Sequence, residues 1–247
     1  GIDEGVIEEG MKQLLTYAIV GDSKGIGASL REQLLASGHR VIGVSRTGVQ
    51  RPADEHSEAY QSLVFDAVEH PCDLSSFATE LAGLAYCPGT LRLKPLRGLK
   101  REHLVEDWEV NFLGAVQTLQ ANHKLLAQSP NASVVLFSTV AVGTGMPFHA
   151  SIAGAKGAVE GLTRSLAAEW MPKIRVNAIA PSLTDTPLAS SLLGNDAKRA
   201  AAEERSPMKR IASATEVAGL AHWLLGTQSQ HMTGQVLQMD GGMSRTR

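Results

Sequence analysis

A glycine-rich turn near the start of the chain constrains its fold more than any other feature. Residues 21–27 read GDSKGIG, between an apolar run at 14–20 and a helical pattern in which Ile26, Leu30 and Leu34 recur at every fourth position. Glycines permit so tight a turn and let backbone N–H groups approach a pyrophosphate at the positive end of the helix dipole. After the first strand of an alternating chain, such a triplet predicts dinucleotide binding, although a purely structural turn is the alternative.

Short apolar runs alternate with longer helical patterns along the rest of the chain. The expected strands lie at 14–20, 40–45, 62–65, 84–86, 133–137, 174–180 and 235–239, and the longer helices at 103–128, 151–170 and 214–225. Repeated strand–helix alternation indicates parallel strands joined by crossovers. We therefore predict a single-domain α/β fold of the Rossmann type, with a doubly wound parallel sheet in a three-layer α/β/α sandwich.

The segment 182–212 is rich in Ser, Ala and charged residues and lies outside this pattern. A long insertion after the carboxyl end of a strand is where α/β proteins place substrate lids, so we predict a lid here. An ordinary surface helical hairpin is the alternative.

Composition excludes several classes of function. The 247 residues are 43% hydrophobic and 19% charged, with 23 Lys and Arg against 25 Asp and Glu. A net charge of −2 gives no bulk attraction to nucleic acid or to an anionic membrane, and no apolar run approaches the roughly 18 residues of a membrane span. The two cysteines, Cys72 and Cys87, imply no disulfide framework, which favours a reducing, cytoplasmic compartment. No metal site is predicted.

The first ten residues differ in character from the rest. Residues 1–10 hold four acids and no base, and Met11-Lys12, just ahead of the apolar run, resembles a natural start. We interpret 1–10 as a cloning-derived or disordered N-terminal segment, with a mobile natural extension as the alternative. The NAD(P)-binding domain is predicted to span 11–247.

Three further motifs accompany the turn. They are Asn111 within VNFLG, RVNAIAP at 175–181, and TGQ at 233–235 followed by DGG at 240–242. Together with the turn they resemble the motifs of the short-chain dehydrogenase/reductase family over about residues 12–243. The resemblance implies a Rossmann-type domain that binds NAD or NADP, and an oxidoreductase that acts on the carbonyl or alcohol group of a small molecule.

The residues after the second strand bear on the choice of cofactor. Dehydrogenases that prefer NAD usually end this strand with an acid that binds the ribose 2′-hydroxyl. Here the position is Ser45, followed by Arg46, and Lys24 lies in the turn. Two cations and no carboxylate suit a 2′-phosphate, so we predict NADP, with NAD less favoured. Two solvated surface charges with mixed cofactor use are the alternative.

The resemblance also implies which residues hold the cofactor. Asp73 matches the family's adenine-contacting aspartate, although taken alone it could be a helix N-cap. Thr186 matches the threonine after the sixth strand, and Lys156 matches the lysine that contacts the ribose. The expected cofactor-binding residues are Gly21, Ser23, Lys24, Gly25, Ile26, Gly27, Ser45, Arg46, Asp73, Gly89, Lys156, Pro181 and Thr186.

The active-site pattern of the family is incomplete in this chain. Family members use a tyrosine four residues before the lysine and a serine about thirteen residues before the tyrosine, with a helix asparagine that supports a proton-relay water. Lys156 and Asn111 are present, but the tyrosine position holds Ile152, which has no titratable proton. The serine position holds Thr139, preceded by Ser138. The resemblance therefore implies an atypical member whose proton donor is replaced or absent.

Other side chains could supply the proton. His149 lies three residues before Ile152 and titrates near neutral pH, and Tyr86 ends the fourth strand near the expected nicotinamide. A surface or packing role is the alternative for each, and Cys87 is expected to be buried and inert. The candidate catalytic set is Lys156, Asn111, Thr139, Ser138 and His149.

The sequence supports NADP binding more firmly than turnover. YCPG at 86–89 replaces the family's Asn-Asn-Ala-Gly, and its proline removes a backbone donor, so the floor of the cofactor site must be arranged differently. We predict an NADP-dependent oxidoreductase with a displaced or water-borne proton donor. The alternative is a non-catalytic NADP-binding sensor or partner subunit, and a third, weaker reading is non-redox chemistry on a bound substrate.

Two helices carry surfaces suited to self-association. Residues 151–170 are rich in Gly and Ala, which permit close helix approach, and 103–128 offers Leu104, Trp108 and Phe112 on one face. Because related proteins pair these helices, we predict a homodimer or homotetramer. Packing of the same residues in the core is the alternative.

Overall fold

The computed structural model describes residues 14–246, so the interpretation of residues 1–10 lies outside the described residues. The strands are β1 Thr16–Val20, β2 Arg40–Ser45, β3 Tyr60–Val64, β4 Gly83–Tyr86, β5 Ala132–Phe137, β6 Ile174–Pro181, β7 Thr184–Asp185, β8 Ala212–Ser213 and β9 Val236–Met239. Seven of them form a parallel sheet in the order β3-β2-β1-β4-β5-β6-β9, and β7 pairs with β8 separately. The predicted Rossmann-type, doubly wound parallel sheet is confirmed.

Helices cover both faces of this sheet. They are α1 Gly25–Ala36, α2 Arg101–Trp108, α3 Gly114–Gln128, α4 Ala141–Thr144, α5 Ala150–Trp170, α6 Ser190–Leu193, α7 Asp196–Arg205 and α8 Ala214–Leu225. Successive residues of β5 point to opposite faces: Val134 and Leu136 pack in the core with α3 and α5, whereas Val135 and Phe137 pack in the core with α1 and α8. The two cores make the predicted three-layer sandwich.

The helix predicted at 103–128 is not one regular helix. After α2 the chain forms a π-helical segment, Glu109–Leu113, before α3 begins. Single π turns inside α-helices are frequent at functional sites, and this one contains Asn111. The apolar spacing continues through the segment, so periodicity alone did not reveal it.

Strand–helix alternation also fails on either side of β3. The connections at 46–59 and 65–82 contain no α-helix, and a 3-10 turn, Ser57–Ala59, lies in the first. Pro52 and Pro71 interrupt the two connections, which favours irregular backbone there. One edge of the sheet is therefore joined to the rest by loops rather than by crossover helices.

Residues 182–212, here called the lid segment, lie outside the main sheet as predicted. The segment contains α6, α7 and the β7–β8 pair, and it buries Ala189, Leu193 and Ala202 in a small core of its own. It begins directly after β6, so its first residues stand at the carboxyl edge of the sheet. Within residues 14–246 no helix is long and apolar enough to cross a membrane.

Arg175 on β6 fastens the end of α8 to the sheet. Its buried guanidinium donates to the backbone oxygens of Leu224 at 3.0 Å, Gly226 at 3.0 Å and Ser229 at 2.9 Å. Leu224 lies in the last turn of α8, and Gly226 and Ser229 follow it, so helix hydrogen bonds do not satisfy these carbonyls. Ser133 Oγ and Ser229 Oγ also donate to the Leu224 carbonyl. The guanidinium adds a charged donor to all three carbonyls, which fixes the end of the helix against the sheet.

We expect Arg175→Met to lower the free energy of unfolding by about 2–4 kcal/mol, because the carbonyls at the end of α8 would lose a charged donor at once. Urea denaturation of the purified protein measures this change. Arg164→Met is the matched control, since Arg164 is an exposed residue paired with Glu160, and it should cost no more than about 0.5 kcal/mol. Equal losses in the two variants would contradict this account of Arg175.

Candidate active site

A cleft of about 530 Å³ opens at the carboxyl ends of β1, β2 and β4. The strand order reverses between β1 and β4, which is where open parallel sheets bind their ligands. Ten of the expected cofactor-binding residues line the cleft, namely Gly21, Ser23, Lys24, Gly25, Ile26, Gly27, Ser45, Arg46, Gly89 and Thr186. The other three, Asp73, Lys156 and Pro181, are not among the lining residues.

The glycine turn brings backbone amides to the floor of this cleft. Gly21 and Gly25 have φ values of +83° and +60°, which side chains with a Cβ rarely adopt. A Cβ on Gly27 would lie 2.0 Å from the carbonyl oxygen of Gly21, so α1 can follow β1 this closely only with glycine there. The first amides of α1 have no intrahelical acceptor and face an anion site.

Two cationic side chains predicted to bind the cofactor lie at the cleft. Lys24 and Arg46 are exposed at the cleft, and neither forms an ion pair with another residue in 14–246. Ser45 lines the same cleft, and its buried Oγ lacks a hydrogen-bond partner within the described part of the chain. An unpaired buried hydroxyl beside two free cations suits a ligand that carries an anionic, hydrogen-bonding group.

The aspartate at the cleft is not the one that the family resemblance indicated. Asp66, directly after β3, lies in the lining, with its carboxylate accepting from the Val68 amide at 3.0 Å. Asp73 instead accepts from the Ser75 amide at 2.9 Å, which lowers its pKa, and its position is outside the lining. Because the predicted strand at 62–65 ends just before Asp66, the sequence did contain the signal for the nearer acid.

Lys156 and Asn111 converge beside Gly89. A Cβ on Gly89 would lie 3.3 Å from Asn111 Oδ1 and 3.7 Å from Lys156 Nζ, so the missing side chain leaves both polar groups next to the cleft. Lys156 Nζ donates to the Phe137 carbonyl at 2.8 Å. Burial lowers the pKa of its ammonium group to about 8, while Cys87 acts in the opposite direction.

The remaining candidates for the catalytic set point elsewhere. Ser138 Oγ donates to Glu160 at 2.7 Å, and Thr139 Oγ1 accepts from the Ala141 amide at 3.3 Å. The His149 ring faces the Pro147 carbonyl at 2.8 Å. None of the three lies in the cleft lining or forms a side-chain hydrogen bond with Lys156 among the described residues. Their hydrogen bonds are local, and spacing along the chain could not foresee them.

Residues 86–89 differ from the family's usual Asn-Asn-Ala-Gly, and the last three of them form part of the floor of the cleft. Tyr86 is buried and donates to the Val110 carbonyl at 2.7 Å, and burial raises its pKa, so its proton is committed away from the cleft. Pro88 packs against Gly21, with 3.0 Å between its Cδ and a Cβ placed on that glycine. Cys87 lines the cleft, and burial raises the pKa of its thiol to about 12, which keeps it protonated.

Comparison with known proteins agrees with this geometry. A family profile described as enoyl-(acyl carrier protein) reductase matches residues 20–244. A tropinone reductase homolog from Arabidopsis thaliana is 36% identical over 96% of this chain and 94% of its own length. The chain belongs to the short-chain dehydrogenase/reductase family. It is an NAD(P)-dependent oxidoreductase of this type.

Solved structures of this dehydrogenase/reductase fold superpose closely on the chain. A short-chain dehydrogenase family protein from Francisella tularensis has a TM-score of 0.83 at 24% identity, covering 94% of this chain and 99% of its own. A protein from Agrobacterium tumefaciens with bound NADP has a TM-score of 0.80 at 27% identity, covering 93% of this chain and 96% of its own.

A buried carboxylate that the sequence analysis did not identify links residues around the candidate site through hydrogen bonds. Asp107 is fully buried on α2 and accepts hydrogen bonds from Thr90 Oγ1 and Ser151 Oγ, both at 2.5 Å. Thr90 lines the cleft, and its hydroxyl also accepts from Asn111 Nδ2 at 2.8 Å. This chain of contacts ties the start of α5 to the π-helical segment and holds Asn111 beside Gly89. An acid four residues before the asparagine is one helical turn away, which is the only signal that the sequence offered.

We expect Gly27→Ala to weaken dinucleotide binding at least about tenfold, because a Cβ would force the turn and α1 apart by more than side-chain adjustment can absorb. Calorimetric titration with NADPH measures the loss. The control is Gly219→Ala in α8, where the nearest neighbour is 4.0 Å from the added carbon; helix propensity there favours alanine and affinity should not change. Unaltered NADPH binding by Gly27→Ala would refute the role given to the turn.

Proposed function

We propose that this chain is an NADP-dependent oxidoreductase that interconverts a carbonyl and an alcohol, with Ile152 at the position of the family's tyrosine and Lys156 as its proton donor. The observation that carries the proposal is the convergence of Lys156 Nζ and Asn111 Oδ1 beside Gly89, a residue that lines the same cleft as Lys24 and Arg46. One end of the cleft thus suits the phosphates of the cofactor, and the other end carries groups able to handle a proton.

The residues present fit the phosphorylated cofactor. The amides of the turn and of the first turn of α1 would hold the pyrophosphate, and Lys24, Ser45 and Arg46 would hold the 2′-phosphate. Asp66 rather than Asp73 is the acid placed for an adenosine contact. When bound, the nicotinamide supplies or accepts the hydride. The relative with bound NADP supports the same choice.

Lys156 is the group best placed to handle the proton. Its Nζ lies beside the cleft floor, one helical turn after the apolar side chain of Ile152, and it carries a proton to donate below a pKa of about 8. A buried amine with a pKa near the working pH is an effective general acid or base. Asn111 and Thr90 hold Gly89 and the floor in place around it.

The proposed substrate is a small carbonyl compound, or the alcohol derived from it. Two observations support this class: the relatives named tropinone reductase homologs, and the half-exposed side chain of Leu188, which the lid segment contributes to the cleft. An apolar wall of this kind would contact the carbon skeleton while the polar end faces Lys156. Both cysteines are free, which supports the proposed reducing, cytoplasmic compartment.

A non-catalytic NADP-binding sensor or partner subunit is the second candidate. It is favoured by Ile152, which offers no proton, and by the Phe137 carbonyl, which already accepts a hydrogen bond from Lys156 Nζ. A protein of this kind would keep the cofactor cleft and lack turnover.

Self-association is part of the proposal. Leu104, Trp108 and Leu113 expose large apolar surfaces along α2 and the π-helical segment, at 46%, 41% and 42% of their full areas. Exposed apolar side chains of this kind suit an interface between copies, and a homodimer or homotetramer would cover them. Sedimentation at micromolar concentration tests this, and a pure monomer would exclude it.

We expect Arg46→Asp to reduce the affinity for NADPH roughly 100-fold while leaving NADH binding within a few-fold, since the carboxylate repels a 2′-phosphate and accepts from a 2′-hydroxyl. Titration of both nucleotides gives the ratio. Arg245 is an exposed cation outside the cleft lining, so Arg245→Asp makes the same charge change elsewhere and should preserve the ratio. If Arg46→Asp leaves the ratio of NADPH affinity to NADH affinity unchanged, Arg46 does not bind the 2′-phosphate as proposed.

We expect the reductase rate to fall, and the alcohol-oxidation rate to rise, as pH increases through about 8, because Lys156 donates a proton in one direction and accepts it in the other. Within the described residues Cys87 is the titratable group that faces Lys156, and its pKa of about 12 keeps it neutral over this range. Measurement of kcat/KM in both reaction directions, between about pH 6 and about pH 10, shows this profile. A flat profile in both directions would contradict this role.

We expect Ile152→Tyr to raise reductase kcat at least about tenfold above Ile152→Phe, because the two variants differ only in a hydroxyl one turn before Lys156. NADPH oxidation with a panel of ketones and aldehydes measures both. The result that would contradict the proposed enzyme is NADPH binding by the unmodified protein and both variants without turnover of any compound in the panel. That result would favour the non-catalytic sensor or partner subunit.

A further inference from the structure

A buried polar cluster lies beneath the glycine turn, outside the residues that line the cleft. It consists of Asp22 in the turn, Arg31 on α1 and Tyr60 at the start of β3. Tyr60 OH donates to Asp22 Oδ2 at 2.5 Å, and Arg31 Nη1 donates to the Asp22 carbonyl at 2.5 Å and lies 3.4 Å from the carboxylate. Asp22 is fully buried, so these contacts are shielded from water.

The space for this cluster depends on Gly43 in β2. A Cβ at that position would lie 1.9 Å from Asp22 Oδ2 and 2.7 Å from Tyr60 OH. The two side chains therefore meet over the backbone of the middle of β2, across a glycine. This contact fixes the distance between the glycine turn and β3, with β2 lying between them.

The cluster continues toward the segment that follows β2. Arg31 also pairs with Glu32 at 2.8 Å, Glu32 pairs with Arg51 at 2.8 Å, and the guanidiniums of Arg31 and Arg51 lie 5.5 Å and 5.7 Å from the centre of the Tyr60 ring. Arg51 lies five residues after Arg46. A connected set of contacts thus joins the turn that carries Lys24 to the segment that carries Arg46.

Stability alone does not account for so polar a cluster. Burial raises the pKa of Asp22, against the lowering effects of Tyr60 and Arg31, and Asp22 Oδ1 has no partner within the described residues. Replacing buried ion pairs by apolar groups of similar volume is often neutral or stabilising. A carboxylate retained at this cost, directly under the turn, points to a role in setting the position of the turn.

We infer that Asp22, Arg31 and Tyr60 are positioning residues that set the separation between the glycine turn and the end of β2, and thereby the preference for a 2′-phosphorylated nucleotide. The inference rests on the proposed function. Lys24 and Arg46 stand on the two walls that the cluster joins, so both can contact one phosphate only while that separation is kept. The turn and α1 alone would hold the pyrophosphate, which would make its binding less dependent on the other wall.

The test compares NADPH and NADH affinities of Tyr60→Phe, which removes the hydroxyl that joins β3 to Asp22. We expect the NADPH:NADH affinity ratio to fall roughly fivefold to tenfold, with NADH affinity nearly unchanged. The matched control is Gln61→Leu, because Gln61 accepts from Arg40 at 3.0 Å and also joins β3 to β2, but away from the turn. Its ratio should stay within about twofold of the unmodified protein.

Asp22→Asn provides a second variant of nearly the same shape, and melting temperatures and calorimetric titrations are recorded for all four proteins. A fall in the ratio for Tyr60→Phe or Asp22→Asn, but not for Gln61→Leu, supports the inference, including the case in which one of the first two fails to fold. Lower melting temperatures with an unchanged ratio overturn it and leave the cluster with a structural role. If the unmodified protein binds neither nucleotide, the proposed function fails, and the inference fails with it.

Discussion

The contact between Gly27 and the carbonyl of Gly21 is the constraint on which the rest of the molecule depends. With no Cβ at residue 27, α1 can start directly over the end of β1, and a Cβ there would lie only 2.0 Å from that oxygen. This close approach directs the free amides of α1 into the cleft and brings Thr186 of the lid segment within 3.6 Å of a Cβ placed on Gly25. Lengthening the turn would separate the free amides of α1 from Ser45 at the end of β2 and from Gly89 in the loop after β4.

The two ends of the cleft have diverged to different degrees from what the family resemblance implies. At the phosphate end, glycines, a free lysine and a free arginine keep the arrangement that a dinucleotide needs. At the other end, Pro88 packs on the turn, Ile152 presents no hydroxyl, and Lys156 is buried enough for its pKa to approach neutrality. In the proposed function, cofactor binding and proton handling depend on separate groups, so the first can be intact while the second is rearranged.

Sequence reasoning predicted features that follow from local patterns. Alternating apolar runs predicted the sheet and both helical layers. The glycine turn, the end of the second strand and the family resemblance together predicted ten residues of the cleft lining. It did not find features that depend on contacts between distant segments. The π-helical segment preserves the apolar spacing of a regular helix. Asp73 was selected by the family resemblance, whereas Asp66 lines the cleft because of how the chain folds after β3. Asp107 looked like an ordinary helical acid until the fold placed Thr90 and Ser151 against it.

The central claim, that a buried lysine replaces the tyrosine as proton donor, is tested most directly by a crystal structure of the complex with NADPH. The account predicts Lys156 Nζ within about 3 Å of a water or substrate oxygen opposite nicotinamide C4, with Ile152 making only apolar contact there. A complex in which Nζ stays bound to the Phe137 carbonyl, while His149 or another side chain supplies the polar atom opposite C4, would contradict it.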